Sequence, residues 1–371
     1  RMKESSAAQP TGEGDAIARR STSSRLPSLD QFRGLTVAAM FVVNFGAGHP
    51  AVPSLLRHHR TWFSLADAVM PLVFLAVGYA LRLAYVRHVE KEGAATARWL
   101  AVRRALALVL LGLVVHGLDG EFATWQALKD EGVAAVGKAF VRSPFQALVH
   151  IALATLWVLP VVAKSLRAQA WWLVGSLGAH TGLLLAGYQD WLVEHRCIDG
   201  GPLGFLGWTV PVLAGSMLRT RDEGVAMAAS RIAGLGLLSI GAGYVCSCLS
   251  HGGVLAAPPF VAPWHERDLW TMSQQTAGAS YQLAGVGFAM LVFAMCRWAA
   301  DVRSVRAAVF TTFGKNALAA YVLHGLVEDF VDPFVPKDAP LWWVGVGFAA
   351  FFAVTWAMLR GMEKQGLFVR L

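Results

Sequence analysis

The chain has 371 residues, of which 56% are hydrophobic and only 15% are charged, and its formal net charge is +8. In soluble domains about a quarter of all residues are charged, so this composition excludes an ordinary soluble protein. A basic chain suits nucleic acid in principle, but no motif of interleaved aromatic and basic residues is present. We therefore expect no nucleic-acid partner.

Apolar runs recur along the chain, and many reach about 20 residues, the length of helix that crosses a bilayer. They predict an all-α polytopic membrane protein with about ten transmembrane helices. The runs cover 31–49, 65–87, 100–118, 145–164, 170–188, 204–219, 231–250, 273–297, 308–327 and 341–360. Residues 1–27 lack an apolar core and predict a disordered cytoplasmic tail, and residues 28–371 then form one transmembrane domain.

The basic residues predict the orientation of these spans. If the N-terminus is cytoplasmic, most of the 32 lysines and arginines fall on the cytoplasmic side, as the positive-inside rule requires. Both termini are then cytoplasmic, and the opposite side collects most acids and histidines. We therefore expect an integral, multi-pass protein of a bacterial inner membrane, with its reactive groups on the non-cytoplasmic side.

Residues 29–79 contain polar groups that are costly to place at membrane depth. An acid and a base open the first span, an amide lies near its far end, and a polar loop leads to a second acid at the start of the next span. The groups are Asp30, Arg33, Asn44, His58, His59, Trp62 and Asp67. Because polar groups at membrane depth are costly, they predict a functional site.

Each of these groups has a chemical and a structural interpretation. His59 suits a general base or an acyl carrier, and the adjacent His58 is not separated from it by spacing. Asn44 suits an oxyanion donor or an interhelical hydrogen bond. Asp67 suits an acid that orients an imidazole, or a helix cap.

Further candidates lie at the cytoplasmic end and late in the chain. Asp30 and Arg33 form either a self-contained ion pair or, through the guanidinium, a site for phosphate. Two later stretches, 267–278 and 313–330, place polar side chains on apolar segments, for which packing is the alternative role. Their candidate residues are Trp270, Ser273, Asn316 and His324.

The cysteines give no sign of a metal site. The four of them, Cys197, Cys246, Cys248 and Cys296, form neither a CxxC pair nor a Cys/His ligand spacing. GxSxG, Walker and HExxH patterns are also absent from the sequence. We therefore predict no metal.

The stretches SLDQFRGLTVAAMFVVNFG, HHRTW and LADAVMPLVFLAVG together resemble the heparan-α-glucosaminide N-acetyltransferase family and its bacterial relatives. The matching positions are 29–34, Asn44, His59 with Trp62, and Asp67 with Pro71 and Gly78. Weaker similarity continues at 145–153, where His150 replaces an arginine, and at 200–207, 268–273 and 313–326. The resemblance covers most of residues 28–330.

The resemblance implies a transmembrane acyltransferase that takes acetyl-CoA from the cytoplasm and acetylates an amino sugar on the far side. It makes His59 the catalytic residue and places Asn44 in the same site. The implied partners are acetyl-CoA as co-substrate, an amino-sugar or glycan acceptor, and the bilayer. Whether the protein forms a homodimer is left open. The sequence departs from the family pattern in three ways: Phe63 follows Trp62, the gap to Asp67 is short, and the outer loops are short. The resemblance therefore leaves the identity of the acceptor open.

The leading hypothesis is therefore an acetyl-CoA-dependent N- or O-acetyltransferase. His59, Asn44 and Asp67 would be catalytic, with direct transfer favoured over an acyl-histidine. Candidates for binding substrate or CoA are Arg33, Asp30, Trp62, His58, Trp270, Ser273, Asn316 and His324. The alternatives are a transporter or flippase without covalent chemistry, which has no reason to bind CoA, and a scaffold with decayed catalytic residues.

Overall fold

The structure is a computed structural model that describes residues 26–116, 124–126, 129, 130, 132, 144–218, 228–249, 255–264 and 268–369. All regular secondary structure in these ranges is helical, so the all-α prediction is confirmed. The predicted tail, apart from residues 26 and 27, lies outside the described residues. The first helix begins at Pro27.

The α-helices of the described ranges are numbered in chain order. They are α1 (Pro27–Ala47), α2 (Val69–Glu92), α3 (Ala94–His116), α4 (Ala147–Val158), α5 (Leu166–Leu183), α6 (Gln189–Glu194), α7 (Phe205–Met217), α8 (Ala229–Ser247), α9 (Ala279–Arg297), α10 (Ala308–Lys315), α11 (Ala317–Val331) and α12 (Leu341–Lys364). Five-residue π segments, Leu184–Tyr188 and Trp298–Val302, follow α5 and α9.

Five helices of the described ranges are long and apolar enough to cross a membrane, which indicates an integral membrane protein. They are Val69–Glu92, Ala94–His116, Ala229–Ser247, Ala279–Val302 and Leu341–Lys364. The other predicted spans also contain helix, but these helices are shorter or more polar, and one of them is broken at Asn316. Ten spans and cytoplasmic termini stay predictions.

Glycines bring the central helices into backbone contact. Helix α1 packs against α2, α9, α10, α11 and α12, and α2 also packs against α3, α7 and α9. A Cβ atom at Gly34 of α1 would overlap the carbonyl of Phe310 in α10, and one at Gly78 of α2 would overlap that of Val212 in α7. Small residues at such crossings let apolar helices pack closely within a membrane.

The bundle has two chemically different ends. At one end, hereafter the site end, hydrogen bonds join the connections between helices, for example His49 Nε2 to the Val335 carbonyl and the Phe260 N–H to the Phe63 carbonyl. At the opposite end, Gln31 bonds to the start of α10. Helix α1 runs from one end to the other, so it carries polar groups to both.

Replacing Gly34 by alanine tests the glycine crossing. We expect Gly34→Ala to destabilise the protein by about 1–3 kcal/mol, because α1 must move away from α10 to admit the methyl group. The measurement is thermal unfolding of the purified protein in detergent. The matched control is Gly175→Ala in α5, where nothing lies within 4 Å of the added Cβ. Equal melting temperatures for the two variants would contradict the close crossing.

Candidate active site

Three loops meet at the site end. They are residues 54–68, 195–204 and 268–278, hereafter the first, second and third loops. Ser273 Oγ donates to the Arg60 carbonyl at 2.6 Å and joins the third loop to the first. The Gly200 N–H donates to the Gln275 carbonyl at 3.0 Å and joins the third loop to the second. Segments far apart in sequence therefore form one polar site.

Asp67 lies at the centre of the first loop and is fully buried. Its Oδ2 accepts hydrogen bonds from the Ser64 N–H (3.0 Å) and Oγ–H (2.7 Å), while the Asp67 N–H donates weakly back to Ser64 Oγ at 3.3 Å. This reciprocal pattern, with a hydroxyl three residues before an acid, is that of a capping box ahead of α2. Tyr281 OH donates to the Asp67 carbonyl at 2.7 Å, so α9 also fixes the loop.

His58 is the imidazole that Asp67 holds. Its Nδ1 lies 2.9 Å from Asp67 Oδ1. A carboxylate only accepts hydrogen bonds, so Nδ1 carries the proton and Nε2 of the neutral ring keeps a lone pair. The His58 side chain is 44% exposed, so the ring is open to solvent on part of its surface.

The surroundings of His58 shift its protonation equilibrium. Burial lowers the pKa of His58, but the hydrogen bond to Asp67 and the charge of that carboxylate raise it. Asp199 and Gln274 raise it further, and the net pKa lies above the ordinary value of 6.5. A base with a raised pKa takes up a proton more readily.

His59 has a different environment. Its Nε2 bonds to the Ser54 carbonyl at 2.7 Å, and its ring stacks on Trp62 with 4.2 Å between centroids. The expected orientation of His59 by Asp67 is therefore wrong, because the carboxylate contacts His58 instead. Spacing alone does not decide which of two adjacent side chains contacts an acid that lies eight or nine residues further along the chain.

A second polar cluster joins α1, α3 and α11. Asn44 Nδ2 lies 3.1 Å from His324 Nε2, and His324 Nδ1 bonds to the Tyr321 carbonyl. Tyr321 OH lies 3.1 Å from His116 Nε2 at the end of α3. The structure thus places Asn44 and His324 in direct contact.

Tyr321 connects this cluster to the three loops. It packs against both of the hydrophobic clusters that surround the first loop, and its hydroxyl interacts electrostatically with Asp199 of the second loop.

Asp199 is a site residue that sequence reasoning missed. It is 6% exposed, and its Oδ1 accepts a hydrogen bond from Gln274 Nε2 at 2.7 Å. Burial raises the pKa of Asp199 to about 6, against the opposing effects of Gln274 and His58. Its backbone φ is +56°, and Gly200 and Gly201 continue in the left-handed region. The Asp-Gly-Gly sequence was the available signal, since few other residues adopt this conformation.

The other predicted residues have varied positions. Ser273 bonds to the first loop, and the Trp270 N–H bonds to Asp268 within the third loop. Asn316 is buried at the break between α10 and α11, about 12 Å from His324 along α11 at the usual rise per residue. Asp30 and Arg33 lie at the opposite end, and Arg33 is about 17 Å from Asn44 along α1.

Residues 25–197 match the family model described as "Heparan-alpha-glucosaminide N-acetyltransferase, catalytic". This part of the chain is heparan-α-glucosaminide N-acetyltransferase-like. The resemblance found in the motifs is thereby confirmed for residues 25–197. No curated protein matches the chain. The heparan-α-glucosaminide N-acetyltransferase-like region contains Asn44, His58 and Asp67 but ends two residues before Asp199.

Removing the charge of Asp67 tests the contact between His58 and Asp67. We expect Asp67→Asn to lower the pKa of His58, because burial then acts without the opposing carboxylate. The measurement is the NMR titration of the His58 ring in the full chain, assigned by its loss in His58→Gln. Asp268→Asn, in the third loop, is the control and should leave this titration in place. An unchanged His58 titration in Asp67→Asn would contradict the contact.

Proposed function

We propose that this protein is a membrane acetyltransferase that moves the acetyl group of acetyl-CoA to an amino sugar or other glycan acceptor. The observation that carries the proposal is the His58–Asp67 pair, which lies within the region that matches the acetyltransferase family. A buried carboxylate that fixes the tautomer of an accessible imidazole is the arrangement that general-base catalysis of acyl transfer uses.

His58 is the base in this proposal. Its Nε2 takes the proton of the acceptor amine or hydroxyl while that atom attacks the thioester carbonyl carbon. The new C–N or C–O bond forms, the C–S bond breaks, and the proton passes from His58 to the departing CoA thiolate. Asp67 stabilises the imidazolium between these two steps. The acetyl group passes directly from donor to acceptor.

Asn44 is the proposed donor to the carbonyl oxygen as that oxygen gains charge. An amide NH₂ has two hydrogens, and His324 uses one of them. Since His324 Nδ1 bonds to a backbone carbonyl, its Nε2 is the acceptor and holds the NH₂ end of Asn44 in place. The second N–H then serves the oxyanion. His59 and Trp62 support the first loop in this scheme.

The donor enters from the opposite end of the bundle. Arg33 is suited to the CoA phosphates, because a guanidinium pairs with phosphate through two hydrogen bonds. The long pantetheine arm of CoA spans the distance from Arg33 to Asn44, and Asn316 lies at the broken helix between the two ends. Donor and acceptor thus meet from the cytoplasmic and non-cytoplasmic sides of a single transmembrane domain formed by residues 28–371.

Substituting each histidine separately tests the base. We expect His58→Ala to reduce acetyl transfer from labelled acetyl-CoA to glucosamine by about 10²- to 10⁴-fold, because the attacking atom keeps its proton. His59→Ala is the matched control and should lose less, since it removes only a loop contact. Unchanged activity in both variants would remove the proposed base, and a loss confined to His59→Ala would return the role to His59.

Binding of CoA separates an acetyltransferase from a transporter. We expect CoA to raise the unfolding temperature of the detergent-solubilised protein and adenosine to have little effect. Arg33→Gln should weaken the stabilisation by CoA, because a phosphate contact is lost. Arg98→Gln removes an exposed base near the same end of the bundle and serves as the control. No stabilisation of the unsubstituted protein by CoA would contradict the proposed donor.

A further inference from the structure

The two oxygens of the Asp67 carboxylate have different partners. Oδ1 contacts His58 Nδ1 at 2.9 Å, whereas Oδ2 accepts the Ser64 N–H at 3.0 Å and the Ser64 hydroxyl at 2.7 Å. Both hydrogen bonds from Ser64 therefore go to the oxygen that does not contact the imidazole. Because one residue bonds twice to Oδ2, the rotation of the carboxylate is fixed and Oδ1 is left for His58.

The hydroxyl is the part of Ser64 that a substitution can remove. The N–H belongs to the backbone, whereas the side chain contributes one hydrogen that has two acceptors within reach. Ser64 Oγ lies 2.7 Å from Asp67 Oδ2 and 3.0 Å from the Arg57 carbonyl. Hydrogen bonds to a charged acceptor are the shorter and stronger ones, so the hydroxyl hydrogen belongs to Asp67.

This hydrogen bond is shielded from water. Ser64 and Asp67 are both fully buried, and the Phe63 side chain beside them is packed edge-on against Tyr281. A hydrogen bond to a charge is stronger in such surroundings than in water. Water is also not at hand to replace the hydroxyl if it is lost, so the effect of its removal falls on the carboxylate.

The hydroxyl and the imidazole compete for the charge of one carboxylate. A hydrogen bond to the anion stabilises the charge where it is, and the anion then gains less from a second cationic partner. Burial lowers the pKa of His58, while Asp67, Asp199 and Gln274 raise it. Ser64 bonds to the first of these carboxylates, which is also the one in direct contact with the ring.

We propose that Ser64 is a positioning residue that moderates the basicity of His58 through Asp67. By holding part of the carboxylate charge at Oδ2, the Ser64 hydroxyl limits how strongly Asp67 favours the imidazolium. More of the His58 is then unprotonated near neutral pH, which is the form that accepts a proton from the acceptor. This inference rests on the proposed acetyltransferase function.

The sign of the effect separates this role from a purely structural one. Without the hydroxyl, the Asp67 charge acts more fully on the ring, and the pKa of His58 rises. If Ser64 only kept the first loop in shape, its loss would let Asp67 move away from His58. The pKa of His58 would then fall, as it should in Asp67→Asn.

The pH profile of Ser64→Ala tests the proposal. The full chain, in lipid nanodiscs, is given labelled acetyl-CoA and glucosamine, and kcat/KM is measured from about pH 5 to pH 9. We expect the midpoint that reports His58 to rise by about 0.5–1 pH unit, part of the strength of a hydrogen bond to a charged group. Activity below the midpoint should therefore fall about 3- to 10-fold, because less His58 is unprotonated. This deficit should shrink as the pH rises past the midpoint. The glucosamine amine titrates alike with both proteins, so the difference between the profiles belongs to the protein.

Two variants and a second measurement complete the test. Ser273→Ala is the matched control, because Ser273 is also buried and donates to a carbonyl of the first loop, that of Arg60, at 2.6 Å. It should change the rate by the same factor at every pH and leave the midpoint in place. Ser64→Thr keeps the hydroxyl and should return the midpoint toward that of the unsubstituted protein. The NMR titration of the His58 ring gives its pKa without the reaction.

The outcomes separate the two proposals. An unchanged or lowered pKa of His58 in Ser64→Ala would overturn the role of Ser64, and so would an equal rise in Ser273→Ala. Acetyl transfer by the unsubstituted protein would in either case leave the acetyltransferase proposal standing. No transfer from acetyl-CoA by that protein would overturn the acetyltransferase proposal, and the NMR titration would still decide whether Ser64 acts on His58. If Ser64→Ala does not fold, Ser64→Cys keeps a weaker donor and should give a smaller rise, and no rise would overturn the role.

Discussion

The site depends on a carboxylate that is buried at the end of a helical bundle. Burying an unpaired charge in such a place is strongly unfavourable. Asp67 is tolerated because Ser64 gives it two hydrogen bonds and His58 gives it a third. The same hydrogen bonds stabilise the conformation of the first loop, form the capping box ahead of α2 and fix the tautomer of the His58 imidazole. One residue thus links the local fold to the chemistry.

The surrounding architecture keeps that arrangement rigid. Tyr281 of α9 holds the backbone of Asp67, and Ser273 ties the third loop to the first. Backbone contacts at glycine crossings, such as Gly34 of α1 on α10, fix the helices that carry these loops. Because α1 also carries Asn44 to the same end, movement of one central helix would separate the two polar clusters.

Much of the fold could be predicted from the sequence, because a lipid environment acts on local composition. Apolar runs become helices wherever backbone groups lack water to bond with, and each predicted run contains helix in the described residues. The break at Asn316, within the predicted run 308–327, was not predicted. Such interruptions depend on whether neighbouring helices supply hydrogen-bond partners for the backbone groups that the interruption leaves unpaired within the helix.

The sequence by itself predicted a functional site in residues 29–79, because acids, amides and imidazoles at membrane depth are costly. It also determined the family resemblance of that stretch. Only the tertiary structure decided that Asp67 faces His58 and not His59, and that Asp199 and Gln274 join them. The physical reason is that packing, and not spacing, sets the direction of a side chain, both within one loop, as for His58 and Asp67, and between loops, as for Asp199 and Gln274, which are 75 residues apart.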